Sequence, residues 1–122
     1  MLTVMSALSS IQIDRDGDVA VVVLQGEHDL STADRLRQAI ESACDGSTSV
    51  VVDLTEATFI DSAVLGVLIA EHERAASNGS AVGYVVGTGT GHSVHRIIDL
   101  AGVAAVLPIS SDRESALRAI RG

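Results

Sequence analysis

Residues 50–76 read VVVDLTEATFIDSAVLGVLIAEHERAA, and the way hydrophobicity runs through them decides the fold. Val50, Val51 and Val52 form an unbroken β-branched run with no polar alternation, the pattern of a strand buried on both faces. Residues 53–58 are polar and read as a turn. After Phe59, Ile60, Asp61 and Ser62 the apolar spacing lengthens towards 3.6, so a helix follows. Asp61 is its expected N-cap, because a carboxylate there accepts the free N–H groups of the first turn. Ser62 then takes the first helical position.

This helix has two apolar sides. Leu65, Leu68, Ile69, His72 and Ala76 recur at i, i+3, i+4 spacing and are expected to face the core. The opposite side carries Ala63, Val67, Ala70 and then Arg74. A surface helix is normally polar there, so either a second layer covers that side or it is an exposed apolar patch for a partner. The Ser62 hydroxyl is expected near solvent, at the positive end of the helix dipole.

Outward from this unit the chain alternates. Residues 1–10 read as a flexible leader and residues 11–122 as a single domain. Ile11-Gln12-Ile13 is an edge strand, Asp16-Gly17 is a hairpin signal, and residues 19–24 form a second, more buried strand. Gly26 ends that strand. Ser31 or Thr32 caps a helix over 33–43, with Leu36, Ala39, Ile40 and Ala43 on one stripe and Gly46 at its end. After the central helix Asn78-Gly79 is a C-cap. A strand over 81–86, a glycine loop at 87–91 and a helix over 93–100 follow, and Gly102 breaks that helix. Residues 103–109 read as a last strand, which Pro108 confines to an edge. Asp112 caps a terminal helix with Ala116, Leu117 and Ile120 inward. The order ββαβαβαβα calls for an α/β fold with a mixed, mostly parallel sheet.

Composition narrows the function. The 122 residues carry 16 acidic and 8 basic side chains, a net charge of −8, which disfavours direct nucleic-acid binding and favours a partner with a basic face. Aromatic content of 2% leaves an aliphatic core and no base-stacking platform. The single Cys44 excludes an internal disulfide and fits a reducing compartment. No apolar run approaches the roughly 20 residues that span a bilayer, so a soluble cytoplasmic protein with no membrane partner is expected.

IDSAVLG at 60–66 resembles the serine motif of the STAS-domain anti-sigma factor antagonists, roughly Asp-Ser-Ser/Thr-Gly-Leu-Gly after a buried strand. Asp61, Ser62, Leu65 and Gly66 match; Ala63 and Val64 replace the second hydroxyl residue and the first glycine. Gly26-Glu27-His28-Asp29 ahead of Thr32-Ala33 resembles the family's Gly-Glu-hydrophobic-Asp before a helix, with His28 in the hydrophobic place. The resemblance covers about residues 11–120. It implies a STAS-like fold with helices largely on one side of the sheet, and Ser62 as the phosphorylated residue. It also implies Asp29 close to Ser62 on one surface and a second role for Asp61 in orienting the Ser62 hydroxyl; with the Ala63, Val67, Ala70 and Arg74 face read from the helical spacing, Asp29 and Asp61 make up the expected partner contact.

The implied activity is an interaction switch, not an enzyme. The unphosphorylated chain binds an anti-sigma factor that is also a serine kinase, and a sigma factor is released. Phosphorylation of Ser62 ends the complex, and a phosphatase resets it. ATP and Mg²⁺ belong to the kinase, so no cofactor or metal is expected here; a weak homodimer is a further expected partner state. The physics is coherent, because a phosphoryl group adds about −1.5 to −2 charges. Free N–H groups at the helix start stabilise that charge locally. A partner seated on the neighbouring apolar stripe would have to desolvate it.

Four rival readings have weaker support. Gly-Thr-Gly-Thr-Gly at 87–91 is neither a dinucleotide fingerprint nor a P-loop and reads as an ordinary flexible loop, leaving a nucleotide or small-molecule sensor as an alternative. A non-phosphorylated accessory or scaffold subunit, for instance of a membrane transporter, is the other alternative that Ala63-Val64 keeps alive. His72-Glu73 lacks the second histidine of a zinc helix, and Ser62, His28 and Asp29 lack a nucleophile-elbow pattern for a hydrolase.

Overall fold

A computed structural model of the chain describes residues 9–44 and 49–121. Among these residues five strands make one sheet: β1 (Ser9–Asp16), β2 (Val19–His28), β3 (Val50–Ile60), β4 (Val82–Val85) and β5 (Ile109–Ser110). The helices are α1 (Leu30–Ala43), α2 (Ser62–Ser77), α3 (His92–Ala101) and α4 (Arg113–Arg121). The element order is the expected ββαβαβαβα, and the strands lie side by side in chain order. β1 and β2 pair antiparallel across a tight turn in which Gly17 has φ of 60°; every later pair is parallel.

The alternation of side chains along each strand builds two cores. On one face Ala20, Val22, Leu24, Val50, Val52, Leu54 and Tyr84 pack under α1, α2 and α3. On the other, Val19, Val21, Val23, Val51 and Val85 pack under α4 through Ala116, Leu117 and Ile120. Helices therefore lie largely on one side, as the resemblance implied. Val50, Val51 and Val52 are fully buried, as their unbroken run predicted. Tyr84, the one tyrosine, is buried and donates its hydroxyl to the Leu68 carbonyl at 2.6 Å, which satisfies its polar tip.

Several boundaries differ from the sequence reading, each for a local reason. Residues 53–58 are not a turn; β3 runs through them with Leu54 and Ala57 buried. Val23 pairs with Asp53 but Gln25 with Glu56, and Gly26 pairs with Ala57 but Glu27 with Phe59, so β3 carries an extra residue at each step. Bulges of this kind tolerate polar residues and bend the strand. Gly26, at φ of 80°, sits within β2 at the second bulge rather than ending it. α1 begins three residues early, with Asp29 rather than Ser31 or Thr32 as its cap. Residues 103–109 form a 3₁₀ turn at Val103–Ala105 and then only the two-residue edge strand β5. Pro108 contributes its carbonyl to the Tyr84 N–H at 3.0 Å and needs no N–H of its own there. Gly46 and the first eight residues of the expected leader lie outside the described residues.

The inward arc of α2 is also turned. Val64, Leu65, Leu68, Glu71 and Ala75 are buried, whereas Ile69 and His72 are half-buried and Ala76 is exposed. The cause is α1, which packs along α2. Arg74 pairs with the buried Glu71 at 3.1 Å and with Glu41 of α1 at 3.6 Å, closing the seam between the two helices.

A buried carboxylate helps to fasten α4. Asp53 on β3 is buried and receives the Arg113 guanidinium at 2.9 Å, together with the Thr55 amide at 2.9 Å and hydroxyl at 2.6 Å. Burial works against its charge, but the Thr55 and Arg113 bonds outweigh it and hold the carboxyl below its ordinary value. Arg113→Ala would leave that carboxylate with the Thr55 bonds alone. Arg113 is partly exposed, so the expected loss is at the low end for a broken buried pair, about 2 kcal/mol, read as a lower urea midpoint. Since Asp53 titrates below its unfolded value, its contribution is present above pH 3.8 and fades as pH falls further, and in Arg113→Ala that acid-sensitive share shrinks.

A candidate docking site at the carboxyl ends of the strands

Because β2 and β3 are parallel and each leads into a helix within two residues, the starts of α1 and α2 emerge side by side. Asp29 caps α1: its Oδ1 accepts from the Ser31 amide at 2.8 Å and hydroxyl at 2.5 Å, and the Thr32 hydroxyl returns the favour to the Asp29 N–H at 3.2 Å. The Ser31 hydroxyl and amide hold the Asp29 carboxyl below its ordinary value. Asp61 does more than cap. Its Oδ1 accepts from the Val64 N–H at 3.0 Å, as a cap should, while its Oδ2 accepts from the Leu30 N–H at 3.1 Å. One carboxylate therefore joins the first turns of two helices. Ser62 follows it at the first position of α2, exposed to solvent.

Comparison with known proteins meets this geometry. A family model described as "Mlab, STAS domain" matches residues 11–109. The anti-sigma-F factor antagonist RsfB of Mycobacterium tuberculosis is 36% identical over 97% of this chain and 96% of its own length. This chain belongs to the STAS-domain anti-sigma factor antagonist family. A crystal structure of an anti-sigma factor antagonist from Mycobacterium paratuberculosis, 30% identical, superposes with a TM-score of 0.82 over 93% of this chain and 95% of that one. The unphosphorylated form of the anti-sigma factor antagonist SpoIIAA superposes with a TM-score of 0.75 over 93% of this chain and 97% of that one; at 17% identity it speaks for the fold alone.

Within this STAS domain the residues expected at the contact fall into two groups. Asp29, Asp61 and Ser62 gather at the two helix starts, joined through Leu30. Ala63 and Val67 are half-buried and, with Leu30, Ala33, Asp34 and Arg37, line an open groove of about 320 Å³ between α1 and α2. Ala70 is exposed farther along α2. Arg74 lies twelve residues beyond Ser62, about 18 Å along the axis at 1.5 Å per residue, with its guanidinium committed to Glu71 and Glu41. It fastens the seam rather than standing beside the mouth.

Sequence reasoning missed two surface side chains. Leu30 is 76% exposed at the first position of α1, and Phe59, the only phenylalanine, is 40% exposed two residues before Asp61. A lone phenylalanine placed just before the motif in an otherwise aliphatic chain was the available signal. Gly66 is a third marker. It lies inside α2, exposed, with nothing within 4 Å of where a Cβ would sit. Among the described residues no packing requires it, and an interior helical glycine costs about 1 kcal/mol relative to alanine. A bare backbone one turn after Ser62 admits close approach from outside. Gly66→Ala is accordingly expected to raise stability by up to about 1 kcal/mol in thermal unfolding while weakening partner docking; docking left intact would remove Gly66 from the contact.

The rival chemistries fare poorly on geometry. The imidazole of His28 is buried and bonds to Thr32 and to the Gln25 carbonyl, while the Asp29 carboxylate serves Ser31, so Ser62, His28 and Asp29 form no relay. The glycine loop is packed rather than loose. Its Gly91 N–H goes to the Ala57 carbonyl at 2.8 Å, Gly87 N–H to the Thr90 hydroxyl at 2.9 Å and Thr90 N–H to the Gly87 carbonyl at 3.1 Å. Those three donors are spent within the fold and are not free for a phosphate. Among the described residues no group of three or more His, Cys, Asp or Glu side chains stands ready for a metal ion.

Proposed function

We propose that this chain acts as an anti-sigma factor antagonist whose docking is switched by phosphate on Ser62. The observation that carries this reading is the exposed Ser62 at the start of α2, beside an apolar groove and next to a carboxylate that fixes two helix starts. Unphosphorylated, the groove and the bare backbone at Gly66 receive an anti-sigma factor that is itself a serine kinase, and the sigma factor is set free. The kinase brings ATP and Mg²⁺; this chain supplies the hydroxyl. Phosphate at Ser62 finds free N–H groups at the helix start, so the fold keeps its shape, while the contact surface gains up to two negative charges. A separate phosphatase removes them. The setting is cytoplasmic; no described helix is long and apolar enough to cross a membrane.

Affinity capture on the immobilised chain from its native extract tests this. Retention of an anti-sigma factor with a serine-kinase domain is the expected result. Retention instead of transporter subunits, with no phosphate ever found on the chain, would replace the switch with the scaffold reading.

A further inference from the structure

His28 occupies a place where the family carries a hydrophobic residue, yet its imidazole is fully buried at the junction of β2 and α1. Its Nε2 lies 3.0 Å from the Gln25 carbonyl oxygen, which only accepts, so Nε2 bears the proton. Its Nδ1 lies 3.1 Å from the Thr32 hydroxyl and, as the unprotonated nitrogen, accepts from it. The Thr32 oxygen in turn accepts from the Asp29 N–H at 3.2 Å. A single line of bonds thus runs from the end of β2 through the ring to the first turn of α1, the turn whose Leu30 N–H is held by Asp61.

We propose that neutral His28 is a positioning residue for the docking surface, and that its protonation loosens the first turn of α1. In the cation both ring nitrogens donate. The Thr32 hydroxyl must then turn its own proton away, and its other acceptor within reach is the Asp29 carbonyl at 3.2 Å. That carbonyl already accepts from the Thr32 and Ala33 amides, each at 3.0 Å. The charged ring would also remain fully buried, where desolvation opposes it. Burial is the main influence that lowers the His28 pKa from 6.5, with Arg35 of α1 acting in the same direction. The Gln25 and Ser10 backbone and the Asp29 charge oppose it and are outweighed. A lowered folded-state value means that stability from His28 is complete above pH 6.5 and is lost as pH falls through the folded value. Loosening would reach Asp29 and Leu30 first, so acid should weaken docking without touching Ser62. That last consequence rests on the function proposed above; the structural coupling does not.

Nuclear magnetic resonance on the isolated chain tests the coupling without any partner. Ring nitrogen shifts at pH 7.5 should show the Nε2–H tautomer for His28, assigned by its absence in His28→Leu. On acid titration the ring should protonate with a midpoint below 6.5, and the amide resonances of Asp29, Leu30, Ser31 and Thr32 should move with that same midpoint. Thr32→Ser, which keeps the hydroxyl, should preserve the coupled movement; Thr32→Val should abolish it. The proposal is overturned by an Nδ1–H tautomer, by a ring that stays neutral until the chain unfolds, or by protonation that leaves those four amides unmoved.

Discussion

Ser62→Asp is expected to weaken binding to the captured anti-sigma factor at least a hundredfold, equivalent to about 2.7 kcal/mol, with the melting temperature of the chain almost unchanged. Two features of the site set these opposite outcomes. The free N–H groups at the start of α2 accommodate a carboxylate locally, so folding bears little of the charge. Docking, by contrast, must strip water from that carboxylate beside Asp61, whose two oxygens already accept from Val64 and Leu30. Desolvating an unpaired charge in a protein contact costs several kcal/mol, and a single carboxylate, rather than a dianion, marks the lower end of the effect. Titration calorimetry of wild type and variant against the purified partner gives the ratio. Equal affinities would show that charge at this position does not govern docking.

The largest expected effect on folding lies in the glycine loop. A Cβ on Gly91 would stand 2.6 Å from the Thr58 carbonyl oxygen and 2.7 Å and 2.9 Å from its Cα and carbonyl carbon. These are backbone atoms of β3 just before the docking site, and no rotamer change relieves the clash. Gly91 has ordinary φ of −57°, so close approach, not backbone conformation, is what demands glycine here. Gly91→Ala should cost about 3 kcal/mol, the upper range for overpacking, measured as a reduced urea midpoint. The same displacement would strip the Ser93 hydroxyl of its 2.7 Å bond to the Thr58 carbonyl and shift the strand that delivers Asp61 and Ser62. A loss below about 0.5 kcal/mol, the ordinary surface value, would mean that the loop moves freely off β3.

Much of this was legible in the residues because it depends on local pattern. The unbroken Val50-Val51-Val52 run, Asp61 one place before α2, and Gly102 as the left-handed C-cap of α3 each act through near neighbours, and each lies where the pattern put it. What escaped depends on partners far along the chain. The polar segment 53–58 looked like a turn because its bulges exist only against β2. The loop at 87–91 looked flexible because its glycines are explained only by the backbone of β3 and, for Gly87, by the Ser111 carbonyl 2.8 Å from a would-be Cβ. The ion pairs of Arg74 did not show, since neither Glu41 nor the burial of Glu71 appears in a helical wheel of α2. His28 read as a mild exception to an apolar position, and only its two bonds reveal a buried polar junction.

The serine itself can be interrogated directly. The wild-type chain and Ser62→Ala are each incubated with the captured kinase, ATP and Mg²⁺, and intact mass and peptide mapping follow. The account predicts one phosphoryl group per wild-type chain, on Ser62, and none on Ser62→Ala. Stoichiometric phosphate on Ser62→Ala, or a wild-type chain that takes up none while bound to an active kinase, would contradict it.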